Sequence, residues 1–234
     1  MKKKILSILL LFLWGFTSCD DGKIYPEDNV NGTEGSTLKI TAQISGVTSW
    51  PSSYSVVVAG FGDSDYAIIS KGIPTPQIEG ETVSVVLSGV TDKVETVELC
   101  VINSLRKRIA TFYKTDFEVQ TDTIYMNAGV VDAGIFNGIQ QTVFNGYCTN
   151  CHGASTSAAG GLYLTEGKSY AALVNKEAVS SPDGKLLVKL GDVENSFLLD
   201  VLQEGASRHY HTDILSGSPE KIDLLKSWIE GGAI

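Results

Sequence analysis

The most specific chemistry in this 234-residue sequence lies in one short segment, Cys148-Thr149-Asn150-Cys151-His152. Its C-x-x-C-H spacing is that of c-type haem attachment. The two intervening residues let both thiols add to the vinyl groups along one porphyrin edge, and the adjacent histidine then reaches the iron as its proximal ligand. We therefore expect one covalently bound haem c, held by Cys148, Cys151 and His152.

Two other chemistries use the same side chains. The cysteines could form a structural disulfide or a redox pair, which would leave His152 without a role. Alternatively, Cys148, Cys151 and two histidines could hold a zinc ion, since Cys₂His₂ is a common structural zinc set. Both alternatives stay open from the spacing alone.

Two predicted helices would position this segment. Apolar residues near helical spacing predict a helix that runs directly into the motif: Ile135, Phe136, Ile139, Val143, Phe144 and Tyr147. Ser218 followed by Pro219 is a good helix start, with serine as N-cap and proline in the first turn. The final helix then carries an apolar stripe that includes Leu225 and Trp228, and it ends at two glycines.

The region from about residue 136 to 233 resembles the small cytochrome c domains of exported planctomycete and Bacteroidetes proteins. The matching pieces are Cys148-to-Gly153, Gly160-Gly161-Leu162-Tyr163-Leu164, the segment 191–198, and the segments 218–222 and 225–233. The resemblance implies an all-α cytochrome c-like domain over residues 133–234. It also implies that Trp228 packs on Phe144 or Ile139.

The resemblance raises the question of the sixth iron ligand. This family usually supplies a methionine from a loop before the terminal helix, but the only methionines here are Met1 and Met126. The corresponding position falls on His211, and the chain has only three histidines. We therefore expect bis-histidine iron, with His152 proximal and His211 distal. His209 is the alternative distal ligand, and an iron with no histidine on the distal side is the third option.

Residues 37–132 read as a separate all-β domain. Alternating apolar and polar residues between turn signals predict seven strands, which favours an antiparallel sandwich. The predicted strands lie at 38–44, 54–61, 65–70, 82–87, 94–102, 108–113 and 116–126. Cys100 falls on an apolar strand, where we expect a buried free thiol. Nothing in these strands predicts a catalytic site, so the domain is interpreted as a spacer or docking module.

The N-terminus has the pattern of an export signal. Three lysines precede an apolar stretch too short to span a bilayer, and Phe16-Thr17-Ser18-Cys19 follows. This resembles the bacterial lipoprotein cleavage box, which implies a signal peptide over residues 1–18, lipidation of Cys19, and a flexible tether over 19–36. The acidic pair after Cys19 resembles the surface-export signal of Bacteroidetes lipoproteins. We therefore expect an outer-membrane lipoprotein, facing the periplasm or the cell surface.

The net charge of the chain limits which macromolecules it is expected to bind. A formal net charge of −9 disfavours nucleic acid, whose phosphates would repel the chain. The leading hypothesis is a membrane-anchored electron carrier, not an enzyme, that exchanges electrons with a redox protein. One alternative is a peroxidase-like haem enzyme with an open distal site. Another is a β-sandwich binding module with an accessory haem or zinc site.

Overall fold

Seven β-strands account for most of the regular structure in the computed structural model, which describes residues 35–153, 156–203 and 211–233. Their bounds are β1 (Ser36–Ser45), β2 (Tyr54–Phe61), β3 (Ile69–Gly72), β4 (Thr82–Val90), β5 (Thr96–Asn103), β6 (Arg108–Asp116) and β7 (Ile124–Asp132).

The strands form two sheets, in the orders β4-β1-β7 and β3-β2-β5-β6. In β1 the residues Leu38, Ile40, Ala42 and Ile44 are buried and alternate with more exposed neighbours, as a strand with one face on a core requires. The predicted β-sandwich-like arrangement is therefore confirmed. The expectation that it is wholly antiparallel is wrong, because β1 and β7 pair in parallel.

Two predicted strands lie away from their observed positions. The strand expected at 65–70 is observed at Ile69–Gly72, because the preceding residues form a loop that bonds to the turn before β6. In that loop, the backbone of Ala67 donates to Arg106. The strand expected at 116–126 is observed at Ile124–Asp132, since the chain after β6 first turns past the start of β1, where Gln120 bonds to the Ser36 hydroxyl.

The region after residue 132 contains short helices joined by irregular chain. The helices are α1 (Ile135–Ile139), a π-helix (Gln140–Cys148), α2 (Thr149–His152), α3 (Ser169–Leu173), α4 (Phe197–Gln203) and α5 (Pro219–Glu230). Three-residue 3-10 turns lie at Val47–Ser49 and Ala159–Gly161.

The predicted fold class, a β-sandwich domain followed by an all-α cytochrome c-like domain, is wrong. The described chain is mostly β-sheet, and its helices are few and mostly short. Between α2 and α4 the chain has one five-residue helix, one 3-10 turn and single bridges, such as that between Val174 and Val188. Glycines with positive φ and a proline interrupt this stretch, and neither residue type supports a continued helix.

One hydrophobic core runs from the sheets to the helices. It includes residues of β1 such as Leu38, residues of α1 such as Ile139, and residues of α5 such as Leu225, all at most 1% exposed. Residues Glu34–Ile234 group as one compact unit. The domain boundary predicted between 132 and 133 coincides with the end of β7, and whether each side folds alone stays a prediction.

A buried indole ties the sheets to the first helix. The Nε1–H of Trp50 donates to the carbonyl oxygen of Ala133 at 2.6 Å, two residues before α1. The Ser49 hydroxyl also accepts the backbone N–H of Ile135 at 2.8 Å. These bonds fix where the helical segment that leads to Cys148 leaves the sandwich.

We expect Trp50→Phe to lower the free energy of unfolding by about 1–3 kcal/mol, because it leaves the buried Ala133 carbonyl without its donor. The matched control is Trp228→Phe, which makes the same change at a buried indole whose Nε1 has no partner among the described residues. Urea unfolding followed by circular dichroism measures both. Equal losses in the two variants would contradict a role for the Trp50 hydrogen bond.

Candidate functional site

The predicted helix before the motif is present, but its second half is wider than an α-helix. Helix α1 passes directly into the π-helix, which ends at Cys148, and α2 follows at once. The backbone N–H of Thr149 accordingly bonds to the carbonyl of Phe144, five residues earlier. Single π-turns are rare and frequently lie at functional sites.

The core anchors this helical segment through its apolar residues. Ile139, Val143 and Phe144 are at most 1% exposed and belong to the core. Cys148 is half-buried and packs against the same core, whereas Cys151 is exposed. Of the two motif thiols, that of Cys151 therefore lies at the surface.

The glycine after the motif is required by close packing. A Cβ at Gly153 would lie 2.3 Å from the carbonyl oxygen of Thr149, a backbone atom of the motif itself. No side chain fits there without moving the segment that carries Cys148 and Cys151.

Backbone carbonyls fix the ring of His152. Its Nδ1 lies 3.0 Å from the carbonyl oxygen of Ala159 and 3.3 Å from that of Leu162. Carbonyl oxygens only accept, so Nδ1 carries the proton and Nε2 keeps its lone pair in the neutral ring. This arrangement is typical of metal-ligating histidines, whose second nitrogen donates to a carbonyl or carboxylate.

Two glycines make this contact geometrically feasible. Gly160 and Gly161 have φ of 61° and 69°, in the left-handed region that side chains with a Cβ seldom adopt. The resulting tight turn at Ala159–Gly161 brings the Ala159 and Leu162 carbonyls to the same nitrogen.

His211 lies beside His152. The two ring centroids are 6.3 Å apart and the planes differ by 27°. The rings are stacked, whereas two imidazoles that ligate one ion from opposite sides point their nitrogens at each other, so the distance establishes proximity and not a ligating orientation. The structure thus brings together the predicted proximal and distal residues, which are 59 positions apart in the sequence.

The two thiols of the motif differ in environment. Burial, and secondarily the neighbouring Cys151, raise the pKa of Cys148 from 9.0 to about 11. Cys100, the predicted buried thiol on β5, is fully buried and free, as expected. Burial likewise raises the pKa of Cys100, so its thiol is neutral and behaves as a small apolar group.

Other predicted residues have different outcomes. Cys19 and His209 lie outside the described residues. The ring of Trp228 packs against Phe136 and Tyr170, at centroid distances of 5.1 and 6.5 Å, and lies in the same core cluster as the predicted partners Phe144 and Ile139. Ser218 and Pro219 begin α5 as predicted.

Sequence reasoning missed a buried polar group beside the motif. Gln140 is 3% exposed and contacts Ser169, which is fully buried. The signal was a glutamine within an otherwise apolar helical stripe, four residues after Phe136 and four before Phe144.

Two further observations concern metals and membranes. Within the described residues, no group of three or more His, Cys, Asp or Glu side chains is arranged to hold a metal ion. No helix in the described ranges has the length and apolarity needed to cross a bilayer.

Comparisons of the chain with protein-family models, curated proteins and solved structures found no match.

The raised pKa of Cys148 predicts slow alkylation in the folded, haem-free protein. A shift from 9.0 to about 11 lowers its thiolate population about 100-fold at pH 8, since each pKa unit is a factor of ten. We expect iodoacetamide, followed by peptide mapping, to modify Cys148 far faster in denaturant than in the folded state.

Exposed Cys151 serves as the internal control and should change little on unfolding. A Cys148 that reacts equally fast in both states would contradict the burial that raises its pKa.

Proposed function

We propose that this protein is a c-type electron carrier of the cell envelope, with one haem bound covalently through Cys148 and Cys151. The observation that carries the proposal is the state of His152. Its Nδ1 is held by two carbonyls, which leaves Nε2 as the nitrogen that would ligate a metal, and the ring of His211 is stacked beside it at a centroid distance of 6.3 Å.

The thiol positions support covalent attachment. In each thioether bond, the sulfur adds to one carbon of a vinyl group and the thiol hydrogen adds to the other, so no external oxidant or reductant is consumed. Cys148 ends the π-helix and Cys151 lies three residues later in α2, so the two thiols are about one helical turn apart, with Cys151 exposed and Cys148 half-buried. Free thiols at both positions are the form that this addition needs.

The two proposed iron ligands, His152 and His211, favour electron transfer rather than catalysis at the iron. Bound haem supplies a one-electron couple, and the residues around it determine its potential. His152 and His211 would hold the iron as its two axial ligands, which would disfavour binding of a small molecule there. Imidazole in place of methionine would lower the potential, and the carbonyls on His152 Nδ1 would lower it further by making the ring a stronger donor.

The sequence patterns around the described residues suggest the setting. A signal peptide over residues 1–18 and lipidation of Cys19 would tether the protein to the outer membrane. The acidic net charge of −9 favours a redox protein partner with a basic contact surface.

Absorption spectra test this proposal on full-length protein produced with a haem c maturation system. We expect the wild type to show low-spin bands, and Cys148→Ala/Cys151→Ala to lose covalent haem. His211→Ala should change the iron to high spin and allow binding of cyanide or carbon monoxide, because one axial position opens.

His209→Ala is the matched control, two residues away, and should keep the low-spin spectrum. Loss of the low-spin bands in His209→Ala but not in His211→Ala would assign the distal ligand to His209 and contradict our assignment. A high-spin wild type with peroxide turnover would instead support a haem enzyme.

A further inference from the structure

A buried side-chain amide lies between the motif helix, meaning the helical segment from α1 to α2, and the segment 159–169, whose backbone carbonyls contact the His152 ring. Gln140, at the start of the π-helix, is 3% exposed. Its Nε2 donates to Asn145 Oδ1 at 2.7 Å and to the Leu164 carbonyl at 3.0 Å, while its Oε1 accepts the hydroxyl of Ser169. Both donor hydrogens and the acceptor of this amide are therefore used.

The amide contacts the backbone that surrounds His152. Leu164, whose carbonyl accepts from Gln140, donates its own N–H to the carbonyl of His152 at 2.9 Å. Two residues earlier, the carbonyl of Leu162 contacts His152 Nδ1. Ser169 then anchors the other end of this segment at the start of α3.

We propose that Gln140 is a positioning residue for His152. It holds the segment 159–169 against the motif helix, so that the Ala159 and Leu162 carbonyls stay on Nδ1 and keep Nε2 available for iron. An effect of Gln140 on iron ligation rests on the proposed function. Its effect on the position and tautomer of the His152 ring does not require haem.

The packing around Gln140 explains why an amide is needed. An apolar residue would leave the Leu164 carbonyl and the Ser169 hydroxyl buried without their partner. Such groups are costly to leave unpaired, so the segment would shift to find other partners. A shift of Leu162 and Ala159 would in turn weaken the hydrogen bonds to Nδ1.

The first test is the tautomer of His152 in the haem-free full-length protein, read from the ¹⁵N chemical shifts of its ring. We expect the Nδ1–H form in the wild type and a shift towards the Nε2–H form in Gln140→Leu. Gln141→Leu is the matched control, because Gln141 is exposed and its Nε2 contacts Asn137 on its own helix.

The second test is the reduction potential of the haem-loaded protein. Loss of an outer partner of a metal ligand typically costs about 10–100-fold in metal affinity or activity. If a tenfold loss of affinity falls on the ferric form alone, the reduction potential rises by about 59 mV, the value of a factor of ten in a one-electron couple. We expect that shift in Gln140→Leu and none in Gln141→Leu.

If Gln140→Leu does not fold, Ser169→Ala provides a second variant. We expect it to shift the His152 tautomer equilibrium in the same direction by a smaller amount. Unchanged tautomer in both variants would overturn the positioning role. A wild type without covalent haem would instead overturn the proposed function, and the tautomer measurement would still decide the role of Gln140.

Discussion

The shared apolar core is the constraint on which the site depends. The same buried cluster that fills the space between the sheets continues under α1, the π-helix and α5. A Cβ at Gly138 would lie 2.9 Å from the indole of Trp50, so the motif helix packs as closely on the sandwich as its backbone allows. Because this face is fixed, Cys148, which packs against the same core, and the exposed Cys151 are held in defined positions.

Hydrogen bonds then hold the ring of His152 in a defined orientation relative to this helix. The carbonyls at the Gly160-Gly161 turn hold Nδ1, and the buried Gln140 amide ties the same chain segment back to the helix. Apolar packing thus fixes the position of the helix, whereas a small set of hydrogen-bonded polar groups fixes the orientation of the His152 ring. This division is expected where a metal ligand must be held rigidly, since outer hydrogen bonds set both the tautomer and the direction of the ligand.

The sequence predicts the β part of this protein well because strand alternation and turn residues are local signals. It places β1, β2 and β5 within a few residues of their observed bounds. The parallel pairing of β1 with β7 joins segments about 85 residues apart, so no local sequence pattern predicts it. Cys100 was correctly predicted as buried because an apolar strand surrounds it.

The region after residue 132 was harder to predict. The resemblance on which the all-α expectation rested covers scattered short motifs, and the glycine-rich chain between them forms turns and single bridges. His152 and His211 lie side by side, and whether they ligate one iron stays a prediction. The contacts of Ala159 and Leu162 with His152 could not be predicted, because a backbone carbonyl can belong to any residue type.

Covalent attachment of haem through Cys148 and Cys151 can be decided by intact mass spectrometry under denaturing conditions. The protein is produced with a haem c maturation system and then unfolded in acid and organic solvent. We expect the polypeptide to retain the added mass of one haem after unfolding. A polypeptide of unmodified mass, with or without haem released into the solvent, would contradict it.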